Sequence, residues 1–98
     1  MLHIVNKSPL ERNALAACLR VATGGTILLI EDAVYAAVGG TAAEAQVRAA
    51  LGRFRIVALQ PDLDARGVGD RVIDGIATVD YEGFVDLVAE HRNCQSWL

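Results

Sequence analysis

The residues of this sequence whose types could do chemistry are two thiols, Cys18 and Cys94, two imidazoles, His3 and His91, and one adjacent carboxylate pair, Glu31 and Asp32. A thiol reacts as its thiolate, which needs an electropositive, partly exposed setting or a helix N-terminus. Cys18 lies in "NALAACLR", a helical stretch that puts Leu10, Ala14, Ala17, Cys18 and Val21 on one side and Arg12, Asn13 and Arg20 on the other. The sulfur thus falls within the apolar arc and past the middle of its helix, so packing in a core or an interface is favoured over redox work. Glu31 and Asp32 close a strand, where a pair of carboxylates can act as general acid and base. No histidine or nucleophile stands near them in sequence, and the simpler reading has Asp32 capping the helix it precedes and Glu31 at the strand rim.

The remaining candidates are weaker. Neither cysteine belongs to a CxxC pair, and two cysteines with two scattered histidines make no metal set. "GVGD" at 67–70 resembles a fragment of a dinucleotide loop, yet it follows no long strand, lacks a third glycine and opens no helix. No metal and no cofactor is therefore expected. His3 sits inside the first strand, where packing is its expected role, and His91 sits in the last turn of the final helix, where an imidazole can meet the carbonyl end. Trp97 is the only tryptophan, in a tail that would fray unless held. It docks either on its own domain or on a partner, as tryptophan often does. Tyr35 and Trp97 are the candidate interface residues.

The elements that must position these groups alternate. "LHIV" (2–5) reads as a short strand. Ser8, Pro9 and Glu11 give three agreeing helix-start signals, for a helix running to about Ala22 and stopping at Gly24-Gly25. "TILLI" (26–30) and "FRIVAL" (54–59) are aliphatic without polar alternation, as in strands covered on both faces of a parallel sheet. Between them, "EDAVYAAV" gives a short helix capped by Asp32, and Thr41 with Glu44 forms a capping box for a helix through Leu51. "QPDLDARG" is a turn of helix ending at Gly67. "IATVD" (76–80) reads as the last strand, Asp80 caps the helix "YEGFVDLVAEHR", and "NCQSWL" is a tail. Strands alternating with helices predict one α/β domain over 1–98, a small three-layer sandwich with a mostly parallel sheet and helices on both faces. Sites in such sheets collect beyond the carboxyl ends of the strands, here "NKS" (6–8), "ED" (31–32) and "QPD" (60–62).

The bulk numbers narrow the function class. Ninety-eight residues leave no room for a second core. The first residues lack a basic start and a long apolar run, and no stretch is long enough to cross a bilayer, so a soluble cytoplasmic protein with free thiols is expected. A net charge of −3 with dispersed arginines gives no footprint for direct nucleic-acid binding. Hydrophobic residues make up 53% without counting the nine glycines, where average chains reach about 45–50% with glycine included. A domain this small buries only roughly two-thirds of its unfolded surface. The excess implies a subunit interface and an obligate oligomer.

Five segments in order, "MLHIVNKSP", "LLIEDAVYAAV" (28–38), "LQPDLDARG" (59–67), "VDYEGFVDLV" (79–88) and "CQSWL", resemble the DsrH/TusB family essentially end to end. The resemblance implies a cytoplasmic heterohexamer, two copies each of three homologous subunits (DsrE, DsrF and DsrH types, or TusD, TusC and TusB), that relays persulfide sulfur. In the TusB branch the sulfur goes toward 2-thiolation of the wobble uridine of tRNAs. In the DsrH branch it serves sulfur oxidation, with a DsrC/TusE-like protein as acceptor. The family's acceptor cysteine belongs to the DsrE/TusD-like subunit, in a loop beyond a central strand. The comparable loops here, "QPDLDARG" among them, hold no cysteine, which implies an accessory, non-catalytic subunit of the sulfurtransferase complex. A cysteine in the first helix, as at Cys18, resembles the DsrH of sulfur oxidisers more than TusB and keeps Cys18 a candidate catalytic residue. The alternatives are therefore Cys18 as a persulfide-carrying thiolate, or a small-ligand sensor using the strand-end pocket; against the sensor stands the lack of a phosphate loop.

Overall fold

The computed structural model describes residues 1–97; Leu98, the end of the "NCQSWL" segment, lies outside them. Strands β1 (Leu2–Val5), β2 (Gly25–Leu29), β3 (Phe54–Leu59), β4 (Ala77–Val79) and β5 (Cys94–Trp97) form one sheet in the order β4-β3-β2-β1-β5. Every pairing is parallel. Parallel neighbours need crossovers, and these are right-handed in nearly all proteins. The steps β1 to β2, β2 to β3 and β3 to β4 all advance the same way across the sheet, so their helices share one face. The step from β4 to β5 returns across the whole sheet and puts its helix on the other.

The two cores follow that division. Alternate side chains of the strands, Val5, Ile27, Leu29, Ile56 and Ala58, meet α1 (Ala14–Val21), a 3-10 helix (Glu31–Ala37), α2 (Glu44–Ala50) and α3 (Gln60–Ala65). The opposite set, Leu2, Leu28 and Val57, is covered by Leu87 of α4 (Tyr81–Glu90), with Phe84 beside it. Burying one such aliphatic side chain contributes ~1.5–3 kcal/mol. β2 and β3 are buried on both sides, which is why they lack polar alternation. Among the described residues the sandwich is thus three-layered but uneven: four helical segments and a short 3-10 turn (Gly69–Arg71) on one side, a single helix on the other.

Several local expectations change. "CQSW" is the fifth strand, registered Leu2 to Cys94 through Val5 to Trp97, so "IATVD" is not the last. Sequence gave no sign of it because three of its four residues are exposed and polar or small. α1 begins at Ala14: Ser8 Oγ accepts from Leu10 N–H at 3.2 Å, and the Ser8 carbonyl takes Glu11 and Arg12, which closes turns instead of opening the helix. Gly25 (φ 111°) opens β2 with its α-carbon against the Met1 carbonyl, where a Cβ would stand 2.5 Å from that oxygen. Glu44 does reach back from α2, but to Gly40 N–H at 2.6 Å rather than to Thr41. Asp80 behaves as expected, accepting from Gly83 N–H at 2.8 Å to cap α4.

Candidate functional site

β3 runs into α3 without a loop, so Pro61 and Asp62 fall in the helix's first turn at the carboxyl end of the sheet. An acidic side chain is favoured there by the unpaired N–H groups. Asp62 Oδ2 instead reaches across to the start of the 3-10 helix that follows β2 and accepts the Glu31 backbone N–H at 2.6 Å. Glu31 holds φ 51°, the only non-glycine in the left-handed region among the described residues. That turn sends Asp32 toward α3. One helical turn beyond Asp62, Arg66 donates to the Asp62 carbonyl at 3.1 Å and grips Asp32 Oδ1 with two nitrogens, at 3.0 and 2.8 Å. The Asp32 carboxylate raises the Arg66 pKa further above its already high value.

Asp32 is therefore not a helix cap. It sits inside the 3-10 helix, whose capping residue is Ile30 with no side-chain bond, and its partner lies 34 residues away. The strand-end expectation is met in part: residues of "ED" and "QPD" are joined here by Arg66. The sequence reasoning missed Arg66. Its i,i+4 spacing from Asp62 was the available signal. Beside this cluster a shallow cleft of about 400 Å³ is lined by Ser8, Leu10, Glu11, Asp32 and Tyr35. These side chains can hold polar groups by hydrogen bonds and fixed charge, and the lining contains neither thiol nor imidazole.

Both sulfurs lie elsewhere. Cys18 is completely buried on the helical side of the sheet, and desolvation pushes its thiol up to about 11. Cys94 is exposed at the start of β5, opposite Leu2, which is the amino end of the sheet. Trp97 at the far end of β5 is half-buried against its own domain, and its Nε1–H donates to His3 Nδ1 at 3.1 Å. His3 is buried, stacked edge-on against Phe54, and loss of solvent lowers its pKa, opposed by a hydrogen bond with the Gly24 backbone. His91 Nδ1–H donates to the Leu87 carbonyl at 2.7 Å, at the end of α4 as expected. Tyr35 is half-buried between the cleft and the helical core. The structure joins Tyr35 with Asp32, and His3 with Trp97; it brings neither cysteine to the carboxyl end. Among the described residues no group of three or more possible metal ligands occurs, and no helix is long and apolar enough to cross a membrane.

A family model described as "DsrH like protein" matches residues 7–94. The chain is a member of the DsrH family. It is 34% identical to Protein TusB of Escherichia coli O81 (strain ED1a), over 97 residues that cover 99% of this chain and 100% of that one. Protein TusB of Shigella flexneri is 33% identical with the same coverage. Among solved structures, the ychN protein from E. coli superposes with a TM-score of 0.84, covering 98% of this chain and 97% of that one at 17% identity. A protein of unknown function from Methanobacterium thermoautotrophicum gives 0.75, also at 17%, with 97% and 95% covered. At that identity the likeness establishes the fold, the α/β sandwich of the DsrH chain.

Proposed function

We infer that this DsrH-family chain is an accessory subunit of a cytoplasmic sulfur-relay complex, shaping the assembly while a neighbouring subunit carries the persulfide. The observation that carries this reading is the separation of sulfur from the strand-end site. A persulfide acceptor must offer a thiolate to an incoming sulfur. Here the one core thiol is dry and its thiolate disfavoured, and the cleft at the carboxyl end holds no cysteine. Full-length similarity to TusB proteins supports the relay setting. The partners are DsrE/TusD-like and DsrF/TusC-like subunits in a heterohexamer, with a DsrC/TusE-like protein taking the sulfur onward. The process is sulfur oxidation or wobble-uridine thiolation of tRNA, and the first-helix cysteine inclines the reading to oxidation. Tyr35 and Trp97 are the interface candidates, and Cys18 packs the core.

Co-expression with DsrE-like and DsrF-like chains, followed by native mass spectrometry, tests this. A stable complex holding all three chains, with the chain prone to self-association when alone, is expected. A well-behaved monomer that ignores both partners would overturn it.

A further inference from the structure

α1 and α2 lie on the same face of the sheet, and a pocket of about 430 Å³ opens between them. Ala16, Leu19 and Ala49 give it an apolar wall, and Arg20, Gln46 and Arg53 supply its polar groups. It covers Ala16 to Arg20 of α1 and Gln46 to Ala49 of α2, about one turn of each. That is room for a small molecule and too little for a docked helix. The volume falls within the roughly 300–1,000 Å³ of small-molecule sites, which combine an apolar lining with a few polar groups.

The charge in this pocket is one-sided. Arg53 is held in place: it donates to the Leu19 carbonyl at 2.9 Å, and its guanidinium lies 5.1 Å from the centre of the Phe54 ring. Arg20 lies in the last turn of α1, where the carbonyl end of the helix favours a cation. Among the described residues neither arginine has an ion-pair partner, and no carboxylate lines the pocket. α1 carries no acid at all. Glu44, the one acid of α2, is held by Arg48 at 2.7 Å and by Gly40 N–H at 2.6 Å. Two cations brought into one cavity repel each other, and an anion between them removes that cost. Guanidinium groups grip carboxylate oxygens in paired, charge-assisted hydrogen bonds.

We propose that this pocket binds a small organic acid, its carboxylate between Arg20 and Arg53 and a short aliphatic body against Ala16, Leu19 and Ala49. The Gln46 amide can donate to the same carboxylate. The pocket shares no residue with the strand-end cleft and is lined by no thiol. The site therefore goes beyond the relay reading and does not depend on it.

Equilibrium dialysis of labelled hexanoate against the full chain, at constant ionic strength, tests the proposal and reads binding in whatever assembly the chain adopts. Saturable binding of one hexanoate per chain is expected at millimolar concentration. Arg20→Gln and Ala49→Glu each weaken it by at least about fivefold, while Arg92→Gln, between α4 and β5, leaves it unchanged. All three positions are exposed, and circular dichroism verifies that the fold is kept. Phenylglyoxal labelling of the unaltered chain, mapped by mass spectrometry, locates the site: hexanoate slows modification of Arg20 and Arg53 but not of Arg92. Binding that does not saturate, binding that survives Arg20→Gln, or a lack of protection at both pocket arginines overturns the proposal. Sulfate that competes as well as hexanoate overturns it too, since charge alone would then suffice. A tighter grip on acetyl-leucyl-leucine, whose carboxylate ends a peptide, would give the pocket to a partner's carboxyl terminus and overturn the small-acid assignment.

Discussion

The carboxyl ends of β2 and β3 and the helical layer beneath them hold opposite kinds of chemistry. At the strand ends Arg66 clasps Asp32, Asp62 holds a backbone N–H, and Glu31 sits in a strained conformation, all within reach of solvent. In the layer below, Cys18 is surrounded by aliphatic side chains and sees no water. Charge that can organise a polar ligand is therefore in one place, and the sulfur is in another. Reactivity needs both together: a thiolate forms where burial does not penalise its charge and a positive group favours it. The proposed accessory role rests on the difference between these regions more than on either alone.

The comparison can be broken most easily through the thiols. With an alkylating reagent at neutral pH, Cys94 should react freely. Cys18 should react about a hundredfold or more slowly, since its raised pKa thins the thiolate and burial restricts access. Peptide mass mapping over time reads both rates in one experiment, and equal rates would mean that the layer is not dry.

A smaller effect concerns how the last strand is fastened. Trp97→Ala removes a half-buried indole and leaves His3 Nδ1 without its donor, and should lower unfolding stability by about 2 kcal/mol in urea titrations. The same bond carries a pH dependence. Neutral His3 accepts from Trp97; protonated His3 cannot. Its folded pKa is lowered, so on acidification the unfolded chain takes up the proton first, below about 6.5. Stability should accordingly fall as pH drops through that value and level off once the folded pKa is passed. His3→Gln should flatten the fall in thermal melts, and an unchanged slope would assign the acid sensitivity to other groups.

The smallest effect belongs to the strand end. Glu31→Gly removes the cost of a left-handed backbone in a residue with a Cβ, against some loss of unfolded-state restriction. A gain of about 0.5–1 kcal/mol is expected by chemical denaturation. A loss would show that the Glu31 side chain itself stabilises the site.

What was legible in the sequence follows the range of the interactions. β2 and β3 could be read because burial on both faces leaves an unbroken aliphatic run, and the Asp80 cap because its acceptor and donor are three residues apart. The place of Cys18 in an apolar arc was equally local. Asp32 read as a cap because nothing near it announces Arg66, 34 residues on. The strand Cys94–Trp97 is held by its pairing with β1 and by His3, 94 residues from Trp97, while its own residues carry no strand pattern. Ser8 and Pro9 marked a real turn, and the helix starts only at Ala14, where the apolar face begins to meet the sheet.

The central claim is that the sulfur this chain serves is carried by a neighbour. Loading the co-expressed complex with a persulfide donor and weighing each subunit by mass spectrometry tests it most directly, with the isolated chain and Cys18→Ala alongside. The account predicts that added sulfur maps to the DsrE-like subunit. Little or none should appear on Cys18 of this chain alone, and Cys18→Ala should keep transfer largely intact at a modest cost in packing. Stoichiometric persulfide on Cys18 of the isolated chain, with transfer abolished by Cys18→Ala, would contradict it.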